Sequence, residues 1–313
     1  MFVERHGEGP GAFLALHGWG GDRRTFAPLA PFVPAGAALY SADLPGCGDS
    51  PAPREWTVGA IVSEIVEATR VTRAPRPACA PRPACAARPG EATDAGEATE
   101  AGEVTEASEV PDAGEASRLT LVGACGGAVF ALLAAERLGE RVERVVMVDP
   151  FAYLPRYLRL FLAGEFGRRA YGATFANPLG RWLTNQSLRG RRAGAGDLTA
   201  SFACVDHEVE RRYLALYDEV GGVERFRGFR APVEILYGEK TFGAVRRSLA
   251  LWLDVLPQAR VRELKGAGHR AIAEAASEAA RFIFEPAGAA AAAAAGGTGR
   301  ARGAERARGV VGR

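Results

Sequence analysis

Six short apolar runs punctuate the chain, and each gives way to turn-forming residues. Phe13–Leu16 stops at His17-Gly18, Ala37–Ala42 at Asp43-Leu44-Pro45-Gly46, and Leu119–Val122 at Gly123. Val142–Val148 stops at Asp149-Pro150, Val233–Tyr237 at Gly238, and Val261–Leu264 leads into Gly266-Ala267-Gly268-His269. The runs have strand length and are mostly apolar on both faces, as parallel strands covered by helices are. Helical patterns separate them: Val58–Ala68 repeats apolar residues near i, i+3 and i+4, Ala128–Leu138 is rich in Ala and Leu, and Arg246–Leu256 and Ala271–Phe284 follow. Strands alternating with helices predict an α/β fold with a doubly wound, mostly parallel sheet. Ligands of such sheets bind beyond the carboxyl ends of the strands.

Two segments break this pattern. Residues 72–116 open with a tandem copy, Pro75–Ala80 then Pro81–Ala86, and continue as a six-residue repeat from Gly90. An acid stands at every third position from Glu91 to Glu115, a period that fits neither helix nor strand. Its apolar residues are Ala and Val, too small to offset the entropy of ordering the segment. It is expected to be a low-complexity, disordered insert, and 287–313, an alanine run followed by an Arg/Gly tail, is expected to be disordered as well. What remains, 1–71 and 117–286, is one domain of ordinary size.

The chemistry-bearing residues fall where the strands end. Gly123-Ala124-Cys125-Gly126-Gly127 joins a strand to a small-residue helix. A nucleophile at the centre of such a turn needs space around its backbone, which the flanking glycines provide. The turn also sets the residue at a helix N-terminus, whose partial positive charge favours a thiolate. Cys125 is therefore the candidate nucleophile; the alternative is a small buried cysteine, which is how Cys204 is read. Of the four histidines, at 6, 17, 207 and 269, only His269 sits in a glycine-rich loop after the last strand, and it is the candidate general base.

Together these segments resemble the α/β-hydrolase family over nearly all of the domain. His17-Gly18-Trp19-Gly20 resembles its oxyanion loop, Asp43–Ser50 its D-x-P-G-x-G-x-S segment, Gly123-x-Cys125-x-Gly127 its nucleophile elbow with Cys for the usual Ser, and Gly268-His269 its histidine loop. The resemblance implies a helical cap over about 151–230, an oxyanion hole from the N–H groups of Trp19 and Gly126, a structural His17, and an insert at the amino ends of the strands, away from the site. It also implies an acid as the fourth residue of a Gly-x-x-Asp run after the next-to-last strand. Here that run is Gly238-Glu239-Lys240-Thr241. Asp149, where some members carry the acid, is the preferred replacement, and Glu239 is the alternative acid. The elbow is similar to that of dienelactone hydrolases and polyhydroxyalkanoate synthases, although length and the rest of the sequence match neither.

Composition adds little to this picture. The net charge is +2 with only two lysines, Lys240 and Lys265, among 39 basic residues, an arginine usage that points to nucleotide composition rather than chemistry. Thirteen arginines face eight acids over 151–230, which would suit an anionic substrate, although a solvated face explains them as well. No apolar stretch spans a membrane and the start does not resemble a signal peptide, so a cytoplasmic protein is expected. Neither nucleic acid nor a membrane is an expected partner; no cofactor and no metal is implied. The expected activity is that of an esterase-like or thioesterase-like hydrolase, or an acyltransferase, forming a Cys125 acyl-enzyme from a small-molecule or carrier-bound acyl substrate. Two departures from the family triad, Cys125 and Thr241, leave open a degenerate binding protein that kept the pocket.

Overall fold

The computed structural model describes residues 1–72, 118–191 and 196–285. The repeat-bearing segment after Thr72 and the 287–313 tail, with the expectations attached to them, lie outside the described residues. Seven strands form one sheet: β1 (Val3–His6), β2 (Gly11–Leu16), β3 (Ala37–Ala42), β4 (Leu119–Ala124), β5 (Val142–Val148), β6 (Val233–Gly238) and β7 (Arg260–Leu264). Their order is β1-β3-β2-β4-β5-β6-β7, with β1 antiparallel and every other pairing parallel. The helices are α1 (Val58–Ala68), α2 (Gly127–Leu138), α3 (Arg156–Arg159), α4 (Gly164–Tyr171), α5 (Pro178–Ser187), α6 (His207–Val220), α7 (Gly243–Val255), α8 (Ala271–Glu274) and α9 (Ala276–Phe284).

Both faces of the central strands are buried, which is why their runs carry no polar alternation. Leu14 and Leu16 join the core against α1 and α2, while Phe13 and Ala15 join the core that includes α8, α9 and the 3₁₀ segment Arg23–Phe32. Leu14, Leu16, Leu121 and Ile61 are fully buried, and each such side chain contributes about 1.5–3 kcal/mol relative to exposure. Thr57 starts α1 by accepting the Ala60 N–H at 3.1 Å.

Three sequence expectations need correction. β1 has no counterpart among the apolar runs, because Val3-Glu4-Arg5-His6 is an edge strand with charged side chains. β7 forms the opposite edge; only Leu264 is buried in it, so it does not have two apolar faces. The single helix read over Ala271–Phe284 breaks at Ala275, whose ψ of 51° leaves the helical region. The break lets α8 continue the His269 loop while Phe284 of α9 packs edge-on against Phe13, ring centroids 5.0 Å apart.

Register decides where the site lies. Ala124 pairs with Val148, so Cys125 and Asp149 leave neighbouring strands side by side at their carboxyl ends. Leu119, at the amino end of β4, pairs with Ala12 and Val142. The residues flanking 73–117 therefore leave the sheet at the end remote from Cys125. No helix among the described residues is long and apolar enough to cross a membrane.

Joining Val71 to Ser117 through a short Gly/Ser linker is expected to leave the thermal midpoint within a few degrees of the full chain's. Loop length changes closure entropy by only about 0.6 kcal/mol per doubling. Loss of cooperative unfolding in a calorimetric scan would show that the segment packs on the domain.

Candidate active site

β4 ends at Ala124 and α2 begins at Gly127, so the chain reverses within two residues. Cys125 takes the reversal at φ 52°, in the left-handed region that a residue with a Cβ adopts at a cost of about 1–3 kcal/mol. Close approach enforces it. A Cβ on Gly123 would lie 2.4 Å from Ala128 Cα, and one on Gly127 2.3 Å from the Leu16 carbonyl oxygen. Strand and helix meet backbone to backbone here, and the side chain of Cys125 is pushed out of the sheet.

Asp149 is the second non-glycine residue with positive φ, at 51°. Its carboxylate is 1% exposed and fully engaged. Oδ1 accepts the Gly238 N–H at 2.9 Å, and Oδ2 accepts both the Thr241 hydroxyl and the His269 Nδ1–H, the latter at 2.7 Å. Thr241, which stands where the family pattern has its Asp, thus donates a hydrogen bond to the acid one strand over. Glu239, the alternative acid, is not part of this group: its Oε2 accepts the Gly266 N–H at 2.7 Å.

His269 is fixed on three sides. Its Nδ1 faces Asp149, its backbone N–H donates to the Arg191 carbonyl at 3.1 Å, and Phe242 and Phe151 pack on the ring at centroid distances of 4.5 and 5.8 Å. Cys125 is the ring's other polar neighbour, and both residues line the same cavity. Burial pulls the imidazole's pKa down, but the bonds to Asp149 and Cys125 and their charges outweigh it and raise the group to about 10. The raised value describes the state in which the proton that Cys125 gives up already rests on the imidazole. A folded value above the unfolded one near 6.5 means that this pairing stabilises the fold fully below about pH 6.5, and the contribution is lost as pH rises through about 10.

The Gly18–Gly21 loop lies against the elbow. A Cβ on Gly18 would be 2.6 Å from Cys125 Cβ, so only glycine lets the loop come this near. The backbone N–H groups of Trp19 and Gly126 donate to no other group among the described residues. His17 supports the loop from below: its Nδ1–H donates to the Gly18 carbonyl at 2.9 Å and its Nε2 accepts the Leu44 N–H at 3.0 Å. Burial lowers its pKa, in keeping with a neutral imidazole. The Asp43–Ser50 segment is organised by Asp43, which is fully buried and accepts from the Arg23 backbone and guanidinium and from the Asp49 N–H.

Two further residues come from α6 and were not legible beforehand. Glu210 is 2% exposed and accepts the Gly20 N–H on Oε2 at 2.7 Å, while its carbonyl accepts the Trp19 indole N–H at 3.0 Å. Burial, outweighing the Gly20 bond, pushes its carboxyl up to about 8. Tyr217, two helical turns further on, lies against Gly126. The available signal was an acid on the apolar stripe of α6, in line with Tyr213, Leu214 and Tyr217. Cys204, read as a buried cysteine, is exposed at the end of a 3₁₀ turn, and Cys47 is the buried one.

A cavity of about 580 Å³ opens over Cys125, Gly126 and His269. Its wall is mostly apolar and aromatic, with Phe151, Tyr157, Phe161, Phe175, Leu214 and Phe242 prominent. A second cavity of about 370 Å³ shares Trp19, Cys125, Phe202 and His269 with the first, and carries Arg24, Asp197 and Arg270. Among the described residues no cluster of three or more His, Cys, Asp or Glu side chains is arranged to hold a metal ion.

Comparison with known proteins agrees with this geometry at the level of fold. The chain belongs to the α/β hydrolase fold family, whose sequence model matches residues 11–276. None of the curated proteins compared matches it. Among solved structures it is similar to an esterase from Thermogutta terrifontis (TM-score 0.62, 14% identity, 90% of this chain and 90% of that one). An enol-lactonase from Burkholderia xenovorans (0.61, 16%, 90% and 94%) and a bromoperoxidase from Bacillus anthracis (0.60, 17%, 90% and 93%) are similar as well. Membership in this family makes the chain an α/β-fold hydrolase.

Asp149→Asn removes the first of the groups that hold the His269 proton and leaves burial acting against it. The imidazole Cε1–H signal, followed by NMR, is expected to titrate below the wild-type value in that variant, with Cys125 still opposing burial. Glu239→Gln should leave the titration at about pH 10. Equal shifts in both variants would contradict the geometry.

Proposed function

We propose that the protein cleaves esters or thioesters of apolar acyl groups through a Cys125 acyl-enzyme, with His269 as general base and Asp149 as the acid that orients it. The observation that carries this reading is the 2.7 Å bond from the His269 ring to the Asp149 carboxylate, with Cys125 and His269 together in the wall of the apolar cavity.

In the first half-reaction the Cys125 thiol proton passes to His269 and Sγ bonds to the acyl carbon. The carbonyl π pair moves onto oxygen, where the Trp19 and Gly126 N–H groups receive it. Collapse re-forms the carbonyl and breaks the bond to the leaving alkoxide or thiolate, which takes the proton from His269. Water, or another acceptor in an acyl transfer, then repeats the sequence and frees Cys125. Asp149 holds the Nδ1–H throughout, so the other ring nitrogen stays turned to sulfur. The aromatic cavity takes the acyl arm, and the second cavity, with Arg24 and Arg270, takes a polar leaving group such as the thiol end of a carrier.

The test is pre-steady-state kinetics with the p-nitrophenyl ester of an apolar acid. A stoichiometric burst of nitrophenol is expected, abolished in Cys125→Ala and in His269→Ala. Asp149→Asn should lower turnover by up to about 10⁴-fold, and Glu239→Gln should leave it within a fewfold. Iodoacetamide is expected to label Cys125 before Cys204, although Cys204 is the more exposed, and to lose that preference in His269→Ala. A burst that survives Cys125→Ala would sink the assignment.

A further inference from the structure

Tyr217 carries a hydroxyl that no described residue uses. Its Oη is buried and has no hydrogen-bond partner among the described residues. The ring lines the apolar cavity together with Cys125 and Gly126. A side-chain carbon built on Gly126 would lie 2.3 Å from Oη and 2.2 Å from the adjoining ring carbon, so the phenol tip rests directly on the residue that follows Cys125. The ring cannot easily swing away, because Phe130 and Tyr213 pack on it at centroid distances of 5.4 and 6.2 Å. A buried donor without an acceptor costs about 1–3 kcal/mol, and native structures keep few of them.

We propose that Tyr217 is a third donor of the acyl site: its hydroxyl donates a hydrogen bond to the carbonyl oxygen of the bound acyl group, beside the N–H groups of Trp19 and Gly126, and strengthens that bond as the oxygen becomes an oxyanion. The inference rests on the acyl-enzyme reading above. The phenol suits the task. Burial first, then the neighbouring Cys125, Glu210 and Cys47 groups, keep its proton bound well above the usual range near 10. It is therefore a donor at any working pH and does not act as an acid or base. Glu210 of the same helix holds the Trp19–Gly20 segment, so α6 would supply one donor and brace the loop that carries another. A third donor would also help a site whose nucleophile is a thiol. The longer bonds of sulfur displace the oxyanion from where an alkoxide-derived one would sit, and a side-chain donor can follow that shift better than two fixed amides.

Tyr217→Phe deletes only the oxygen, and two readouts separate use from packing. The first is the p-nitrophenyl ester: kcat/KM is expected to fall at least tenfold, since loss of one oxyanion donor costs about 10²–10³ in rate. The thermal midpoint should match or exceed the wild type's, and iodoacetamide should alkylate Cys125 within twofold of the wild-type rate, because alkylation forms no oxyanion. The second is equilibrium addition of [1-¹³C]3-phenylpropanal, which puts the Cys125 sulfur on the aldehyde carbon and the thiol proton on its oxygen. The adduct, read by ¹³C NMR, should weaken at least tenfold in Tyr217→Phe. Unchanged turnover and adduct affinity in Tyr217→Phe would overturn the proposal and leave the acyl-enzyme reading standing. A lowered thermal midpoint with Cys125 alkylation reduced alike would also overturn it, marking the hydroxyl as structural. A wild-type protein that gives neither burst nor adduct would overturn both readings.

Discussion

The pairing of Ala124 with Val148 is the constraint on which the site depends. It brings β4 and β5 to an end at the same level, and the residues that follow, Cys125 and Asp149, are the two non-glycine positions with positive φ among the described residues. Both are turned out of the sheet together. Each is anchored by one more rung of the ladder before it leaves: Cys125 N–H donates to Val148 at 2.8 Å and Asp149 N–H to Leu236 at 2.7 Å. The sheet thus spends about 1–3 kcal/mol of backbone strain at each position to hold two reactive side chains at a fixed separation. A one-residue slip between these strands would part them.

Everything else at the site is brought to these two points by loops or by α6. The Gly18–Gly21 loop can approach Cys125 because Gly18 has no Cβ, but a glycine-rich loop needs bracing. Glu210 does this from above with a side-chain acceptor for Gly20 and a main-chain acceptor for Trp19, and His17 does it from below. A buried carboxyl with no cation beside it is costly, and it meets that cost by being largely protonated at neutral pH. Burial is the chief cause of the raised value, and the Asp206 carboxylate adds to it. The loop that carries Trp19 is thereby tied to a helix that also walls the apolar cavity.

How much of this was legible in the sequence depended on how each residue's environment leaves a local trace. The central strands were legible because burial on both faces removes polar residues from the run itself. β1 escaped because edge strands carry charge for the same reason that keeps edges from pairing, and β7, legible as a strand, buries only Leu264 because it is an edge as well. The elbow was legible because backbone contact between β4 and α2 admits only glycine at 123 and 127. Asp149 and Glu239 could not be told apart by spacing, since the choice rests on which strand end faces the histidine loop. Tyr217 and Glu210 were out of reach: both are ordinary residues of an amphipathic helix until α6 is laid over Gly20 and Gly126. Cys204 went against expectation because the rule that free cysteines are buried has no local cue to override it.

The place of Thr241 shows how such a site tolerates a displaced acid. The carboxylate that would follow β6 in the family pattern is replaced by a hydroxyl, and the carboxylate that follows β5 reaches the same imidazole nitrogen. A carboxylate at both positions would bring two negative charges into one buried pocket, and one would be forced to hold a proton. A hydroxyl instead donates to Asp149, joining Gly238 N–H and His269 Nδ1–H so that three donors meet one buried anion. Under the proposed roles, the hydroxyl at 241 complements the carboxylate at 149. It also ties the three elements that converge at the site: Asp149 follows β5, Thr241 follows β6, and His269 follows β7. The ring of His269 is held by a carboxylate whose own orientation is set by two neighbouring strand ends, so much of its geometry is inherited from the sheet.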